Sequence, residues 1–303
     1  MQRGEIKEFL KDATWQFPRA SRVQCRGLHR IFDPKRAAAG ETDKLKGNCS
    51  EFLGLYGLLR HWVETRAGGV PELLPQRQSF DAACLVLDVI LHIKRGLIGV
   101  QPGAERLQRV VSDFIRLHKA AYGEAHLRPK HHWLMDVAPQ VVRDGLVLDA
   151  FIVERQHLLV RSVAENVRNT SAYEASILAG VWNKQFAAGR TADFGDGLLG
   201  PRGPLPDVAG VLVADRMLAN TFEVAVDDVI LSGGSVGIVV ACYLQADGEL
   251  GAIVRTTALR RQVSAHSIAC VPTGGGVQAW PSTGVRHCLA WKNGGGELLV
   301  VCQ

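Results

Sequence analysis

The chain has 303 residues, 47% of them hydrophobic and 21% charged. That balance excludes wholesale disorder and fits a folded protein long enough for two domains. The net charge of +5 is uneven: residues 205–303 hold six Lys/Arg against eight Asp/Glu, and the first 204 hold 29 against 22. A basic first part permits a polyanion partner for that part alone, although a surplus of this size is also what an ordinary solvated surface carries.

The start, MQRGEIKEFLKD, lacks the apolar core of a signal peptide. The most apolar run, residues 82–92, is interrupted by Asp88 and too short to span a bilayer. Seven scattered cysteines (25, 49, 84, 242, 270, 288 and 302) form no CxxC pair. They speak against a disulfide framework or zinc knuckle and for a reducing, intracellular setting, the nucleus included, with no membrane partner.

Residues 50–66, SEFLGLYGLLRHWVETR, put Phe52, Leu55, Tyr56, Leu59, Trp62 and Val63 on one helical face behind a Ser50 cap. Residues 65–76 read as a loop. Residues 79–96 open on Ser and close on Lys94-Arg95-Gly96, the dipole and C-cap chemistry of a helix end. Residues 103–123 repeat the helical pattern, and 151–187 support one long helix or two in series, with Tyr173, Trp182 and Phe186 read as core by their spacing. None of these helices is polar all round, so they are expected to pack as a bundle.

Five glycines and three prolines in 189–207 mark the main boundary. Beyond it the period shortens, Val and Ile dominate, and Asp247-Gly248 signals a hairpin. The glycine clusters SGGSVG (232–237) and PTGGGVQ (272–278) lack the Lys-Ser/Thr of a phosphate loop and read as hairpin turns. The expected fold is therefore α+β: a mainly helical part over 1–190, a Gly/Pro linker over 191–206, and a small β-barrel or sandwich over 207–303.

Polar residues concentrate in PKHHWLMDVAPQVVRDGLVLDAFIVERQH, residues 129–157. His131 and His132 are adjacent and diverge on any regular element, so they do not share a tetrahedral metal site. Glu154-x-x-His157 has the spacing of a di-iron ligand pair, but no second such pair exists in the sequence. Glu154, flanked by Arg155, His157 and Arg161, suits either a carboxylate beside a phosphate track or a solvated Glu–Arg helix face.

The segment PKHH-Trp-Leu, followed by Gln140, Gly145 and Phe151-x-x-Glu154-Arg155-x-His157, resembles the C-terminal portion of an RNase-H-like, transposase-derived family of mobile-element proteins. The upstream WQFP (15–18), SEFLGLYGLL and IKRGLIG (93–99) are similar to the region that precedes it there. The resemblance implies that Glu154 is the last acid of a catalytic set acting on DNA with Mg²⁺. Asp136 and Ala138 depart from it, standing where the family pattern has His and Pro, and the strands that carry the first two acids have no counterpart in the helical residues 1–128. A lone Glu154 does not hold two metal ions.

Three readings stay open. In the first, the chain is a partial or degenerate transposase, inactive alone, whose Lys130, Arg155, Arg161 and Arg168 contact DNA backbone without sequence preference, with His131, His132 and His157 as the polar core of the motif. In the second, the β part is a non-enzymatic interaction module on a helical scaffold. In the third, the chain is an active Mg²⁺-dependent nuclease or strand transferase, pairing Glu154 with two of Asp81, Asp88, Asp113, Asp136, Asp144 and Asp149. Within apolar helices, Asp88 and Asp113 call for a partner or a metal.

Overall fold

The computed structural model describes residues 3–12, 14–18, 27–33, 49–147, 160–161, 163–167, 172–189, 196–206, 208–219 and 222–302. The order is α1 (Arg3–Lys11), a 3₁₀ turn (Leu28–Phe32), α2 (Cys49–Trp62), α3 (Leu74–Lys94), α4 (Val100–Tyr122), α5 (Pro129–Met135), α6 (Val137–Asp144) and α7 (Tyr173–Gly189). Strands follow: β1 (Gly197–Leu199), β2 (Gly203–Pro204), β3 (Val211–Ala214), β4 (Arg216–Ala219), β5 (Phe222–Ala225), β6 (Val229–Ser232), β7 (Ser235–Gln245), β8 (Leu250–Ser264), β9 (Ser267–Pro281), β10 (Arg286–His287), β11 (Ala290–Gly294) and β12 (Glu297–Val301). The fold is α+β, and β1 and β2 fall within the stretch read as linker.

Local chemistry explains the helix limits. Pro75 sits in the first turn of α3, where its missing N–H costs nothing; the helix thus starts inside the expected loop. Gly96 ends it with a positive φ of 66°, its N–H bonded to the Ile93 carbonyl. Helices α3 and α4 form a hairpin around Val86, Val89, Ile93, Leu107 and Val111, closed by Ala138 and Val141 of α6. Gly103 makes the close crossing possible, since a Cβ there would lie 2.5 Å from the Ile93 side chain. Helices α1 and α2 join a different core, where Leu10, Trp15, Ile31, Leu55 and Leu58 meet Ala290 and Val301 of the sheet. The helices are divided between two cores instead of forming a single bundle. Tyr173 and Trp182 of α7, expected inside, are 39% and 51% exposed.

All named strand pairs are antiparallel. A three-stranded sheet, β1-β4-β5, packs Leu198, Met217 and Val224 onto a nine-stranded sheet whose main path is β10-β6-β7-β8-β9-β12-β11. The large sheet curls: Val229 of β6 shares a core with Trp291 of β11 and Leu298 of β12, though these lie toward opposite ends of the strand order. It does not close into a barrel. The outer edge of β11 bonds instead to the N-terminal segment, Gln16 N–H to the Trp291 carbonyl at 2.7 Å and Trp291 N–H to the Gln16 carbonyl at 3.0 Å. A main-chain pair satisfied this way has no group left for β10.

Of the glycine clusters, Gly233 and Gly234 form the β6–β7 hairpin turn with φ of 55° and 83°, as expected. PTGGGVQ does not turn. It lies within β9, where Thr273–Gly276 bulge out opposite the single residue Thr256, and the Thr256 and Thr273 hydroxyls meet at 3.0 Å.

Helix α2 joins the two halves. Gly57 lets Leu289 sit against the helix, at a place where a Cβ would come within 2.5 Å of the leucine. On another side, Arg60, 3% exposed, donates from Nη1 to Asp88 of α3 at 2.7 Å, and the Tyr56 hydroxyl donates to the same carboxylate at 3.0 Å. The helix then widens into a π turn, Val63–Ala67, from which Glu64 bonds His266 at the β8–β9 turn at 2.5 Å. Burial works to raise the Glu64 carboxyl, and hydrogen bonds from His266 and Ser264 with the charges of His266 and Arg60 outweigh it, leaving it below the usual range. His61 places Nδ1 2.9 Å from the Ser267 hydroxyl, and burial pushes its pKa down.

Removing one partner of a buried ion pair strands the other charge. Asp88→Ala is therefore expected to lower the unfolding free energy by about 3–5 kcal/mol, and Arg60→Met with Asp88→Leu to recover most of it. Urea midpoints at constant slope measure both; a cost below about 1 kcal/mol for Asp88→Ala would show that the pair does not hold α2 to α3.

Candidate nucleic-acid interface

The histidine-rich segment folds at the corner between α4 and α5. Phe114, His118 and Tyr122 recur every four residues along α4 and so present one stripe. His131, at the third position of α5, lays its ring on that stripe, 4.7 Å from the His118 ring centroid and 5.8 Å from that of Phe114. Tyr122 lies 4.8 Å from His118 and 6.4 Å from His126. Pro129 starts the helix, and the Arg128 backbone N–H donates to His131 Nδ1 at 2.9 Å. The imidazole thus takes the place that Glu or Gln takes in a capping box, which fixes its neutral tautomer with the proton on Nε2. Desolvation, with the charges of His118, His132 and Arg128, pushes the His131 pKa down.

Around this ring cluster the surface is open and basic. His132 turns outward while His131 turns in, and Trp133 is 64% exposed. Arg128 and Lys130 are exposed, and neither has an ion-pair partner among the described residues. Nearby Lys119 pairs with Glu124 at 3.1 Å. Cations, a projecting indole and a cluster of tilted rings on one corner suit a phosphate backbone with unpaired bases.

The other expected site residues are not gathered here. Arg161 is exposed and bonded to Glu165 one turn on at 2.8 Å. Glu154, Arg155, His157 and Arg168 lie outside the described residues, as does Asp149. The remaining acids are dispersed. Asp88 is committed to Arg60 and Tyr56, Asp113 pairs with Arg116 at 3.1 Å, and Asp144 pairs with Arg143 at 2.8 Å. Asp136 is exposed at the α5–α6 junction. Asp81 is half-buried, and desolvation raises its carboxyl. Among the described residues no group of three or more His, Cys, Asp or Glu is placed to hold a metal ion.

Sequence reasoning missed His118, Tyr122 and Arg128 as parts of this corner. The signal lay in the four-residue spacing of Phe114, His118 and Tyr122, and in Arg128-Pro129 ahead of His131. Comparison with family models, curated proteins and solved structures returns no match.

The cap gives the corner a pH dependence of fixed sign. A histidine whose pKa is lowered by folding adds stability above its unfolded value, and that stability is lost as pH falls. His61 contributes with the same sign. Urea midpoints at about pH 7.5 and 5 should drop for the wild type and drop less for His131→Gln, whose amide keeps the cap without titrating; an equal drop in both would remove His131 from the titration.

Proposed function

We propose that this chain is a transposase-derived module that binds nucleic-acid backbone without sequence preference through the α4–α5 corner, and that it does not assemble a two-metal site alone. The corner carries the reading. The KHH segment that resembles the transposase-derived family supplies the turn on which Arg128, Lys130, His132 and Trp133 are displayed around a ring cluster. Phosphates would meet Arg128 and Lys130, and an unstacked base would lie on Trp133. Catalytic silence is supported by the arrangement ahead of Glu154. Every named strand lies at or beyond Gly197 and pairs antiparallel, and the described acids upstream are dispersed or neutralised. In this reading the chain works inside the cell beside the nucleic acid it contacts.

Fluorescence anisotropy with a labelled single strand and duplex tests it. Both should bind at about 50 mM salt and weaken steeply by about 200 mM. Arg128→Glu with Lys130→Glu should weaken both by about tenfold and flatten the salt slope. Trp133→Ala should cost the single strand about 1–3 kcal/mol and the duplex less. An absence of binding at the lower salt, or a charge-reversed protein that binds like wild type, would sink the proposal. Mg²⁺-dependent cleavage that disappears in Glu154→Gln would establish the active-nuclease reading in place of the silent one.

A further inference from the structure

The seam between the helical hairpin and the curled sheet holds a small pocket of about 220 Å³. Both sides contribute to it. His92 comes from the last turn of α3, Ser232, Gly233 and Gly234 from the β6–β7 hairpin, Arg286 from β10, and Cys302 from just past β12. The space is smaller than the usual site for an organic cofactor, and it is large enough for a tetrahedral oxyanion with a few waters. Arg286 stands directly opposite Leu231 across β10 and β6, which brings its side chain beside the hairpin turn.

The charge here has one sign. Among the described residues no carboxylate lines the pocket, and Arg286 is exposed with no ion-pair partner. Desolvation pushes the His92 pKa down, and the charges of Arg286, Arg95 and Arg106 press the same way against Asp88. Asp88 itself is committed to Arg60 and Tyr56. His92 is thus a neutral donor in a positive field. Burial pushes the Cys302 thiol up to about 12, so it adds no negative charge. The main chain is arranged in the same sense. Ser232 pairs with Ser235, which leaves Gly233 and Gly234 as a two-residue turn. The amides of such a turn lie outside the ladder, and neither donates to a backbone carbonyl among the described residues. Open carbonyls at the end of α3 would repel an anion. Those of Leu91, His92 and Ile93 are already taken, by the N–H groups of Arg95, Leu97 and Gly96 at 3.0, 2.9 and 3.0 Å.

We propose that this pocket binds a phosphate group, held by Arg286, His92 and the Gly233–Gly234 turn, and that its occupation ties α3 to the sheet. A guanidinium fork, a ring N–H, a hydroxyl and two amides match the acceptor oxygens of such a group. The site is separate from the α4–α5 corner and does not depend on the function proposed for it. Isothermal titration calorimetry of the full chain with inorganic phosphate and with glycerol 3-phosphate, at ionic strength held constant by sodium chloride, tests the assignment. Urea midpoints with and without the bound compound give a second readout.

Saturable binding at one site is expected, with a rise in the urea midpoint, because the ligand joins two parts that separate on unfolding. Saturation by inorganic phosphate identifies the free ion as the ligand, and saturation by glycerol 3-phosphate alone identifies the end of an ester. Arg286→Gln should weaken binding about tenfold, one charge-assisted contact, and Arg286→Lys should restore part of it. Without phosphate, Arg286→Gln should unfold at the wild-type midpoint, which separates loss of the site from loss of the fold. Arg128→Glu with Lys130→Glu should bind phosphate as the wild type does. The proposal is overturned if neither compound saturates at millimolar concentration, if binding leaves the urea midpoint unmoved, if Arg286→Gln binds like wild type, or if binding is lost in the corner variant.

Discussion

A guanidinium taken out of water has to be compensated where it stands, and Arg60 is the residue on which the two halves of this protein turn. Asp88 of α3 compensates it, Tyr56 of its own helix donates to that same carboxylate, and Glu64 lies 3.8 Å from its Nε. The contact fixes α2 against the α3–α4 hairpin at a defined rotation. That rotation turns the Gly57 notch toward Leu289 and carries the π turn to the β8–β9 loop. An apolar contact tolerates sliding; a buried charge with two bonded partners does not. The helical hairpin that carries the basic corner and the large sheet are both positioned from this one helix.

Much of the secondary structure is legible in the sequence because it is written in short periods. The faces of α2, α3 and α4, the Gly96 helix end and the hairpin glycines at 233, 234 and 248 follow from residues a few positions apart. The fold's decisive contacts are not local. Arg60 meets Asp88 across 28 positions, and Gln16 meets Trp291 across 275. No periodicity encodes either, so local patterns suggest a single helical bundle beside a small barrel or sandwich, and long-range pairing divides the helices between two cores and leaves the large sheet unclosed. PTGGGVQ shows the same limit on a smaller scale: three glycines permit a turn or a bulge equally, and the Thr256–Thr273 hydroxyl contact from the neighbouring strand selects the bulge.

The candidate site was half visible. Lys130, His131 and His132 were singled out by residue type, and the structure sets them on one short helix, but with different work. His131 is a structural acceptor, while His132 and Lys130 face solvent. Residue type alone does not separate a histidine that closes a helix from one that meets a ligand. Cys84, Cys242, Cys270, Cys288 and Cys302 are free thiols, and burial raises Cys84, Cys242 and Cys302 to about 12, which keeps them in the unreactive protonated form.

The pairing of Gln16 with Trp291 also sets the order in which the molecule can be made. On a ribosome the stretch around Trp15 emerges more than two hundred residues ahead of the strand that receives it, so its indole, Leu10 and Ile31 must wait without their final neighbours while the whole helical region is synthesised. The α3–α4 hairpin, whose contacts are close in sequence, can form during that interval. The second core can form only once β12 is free, and the nascent chain therefore carries an uncovered greasy segment until that strand has emerged.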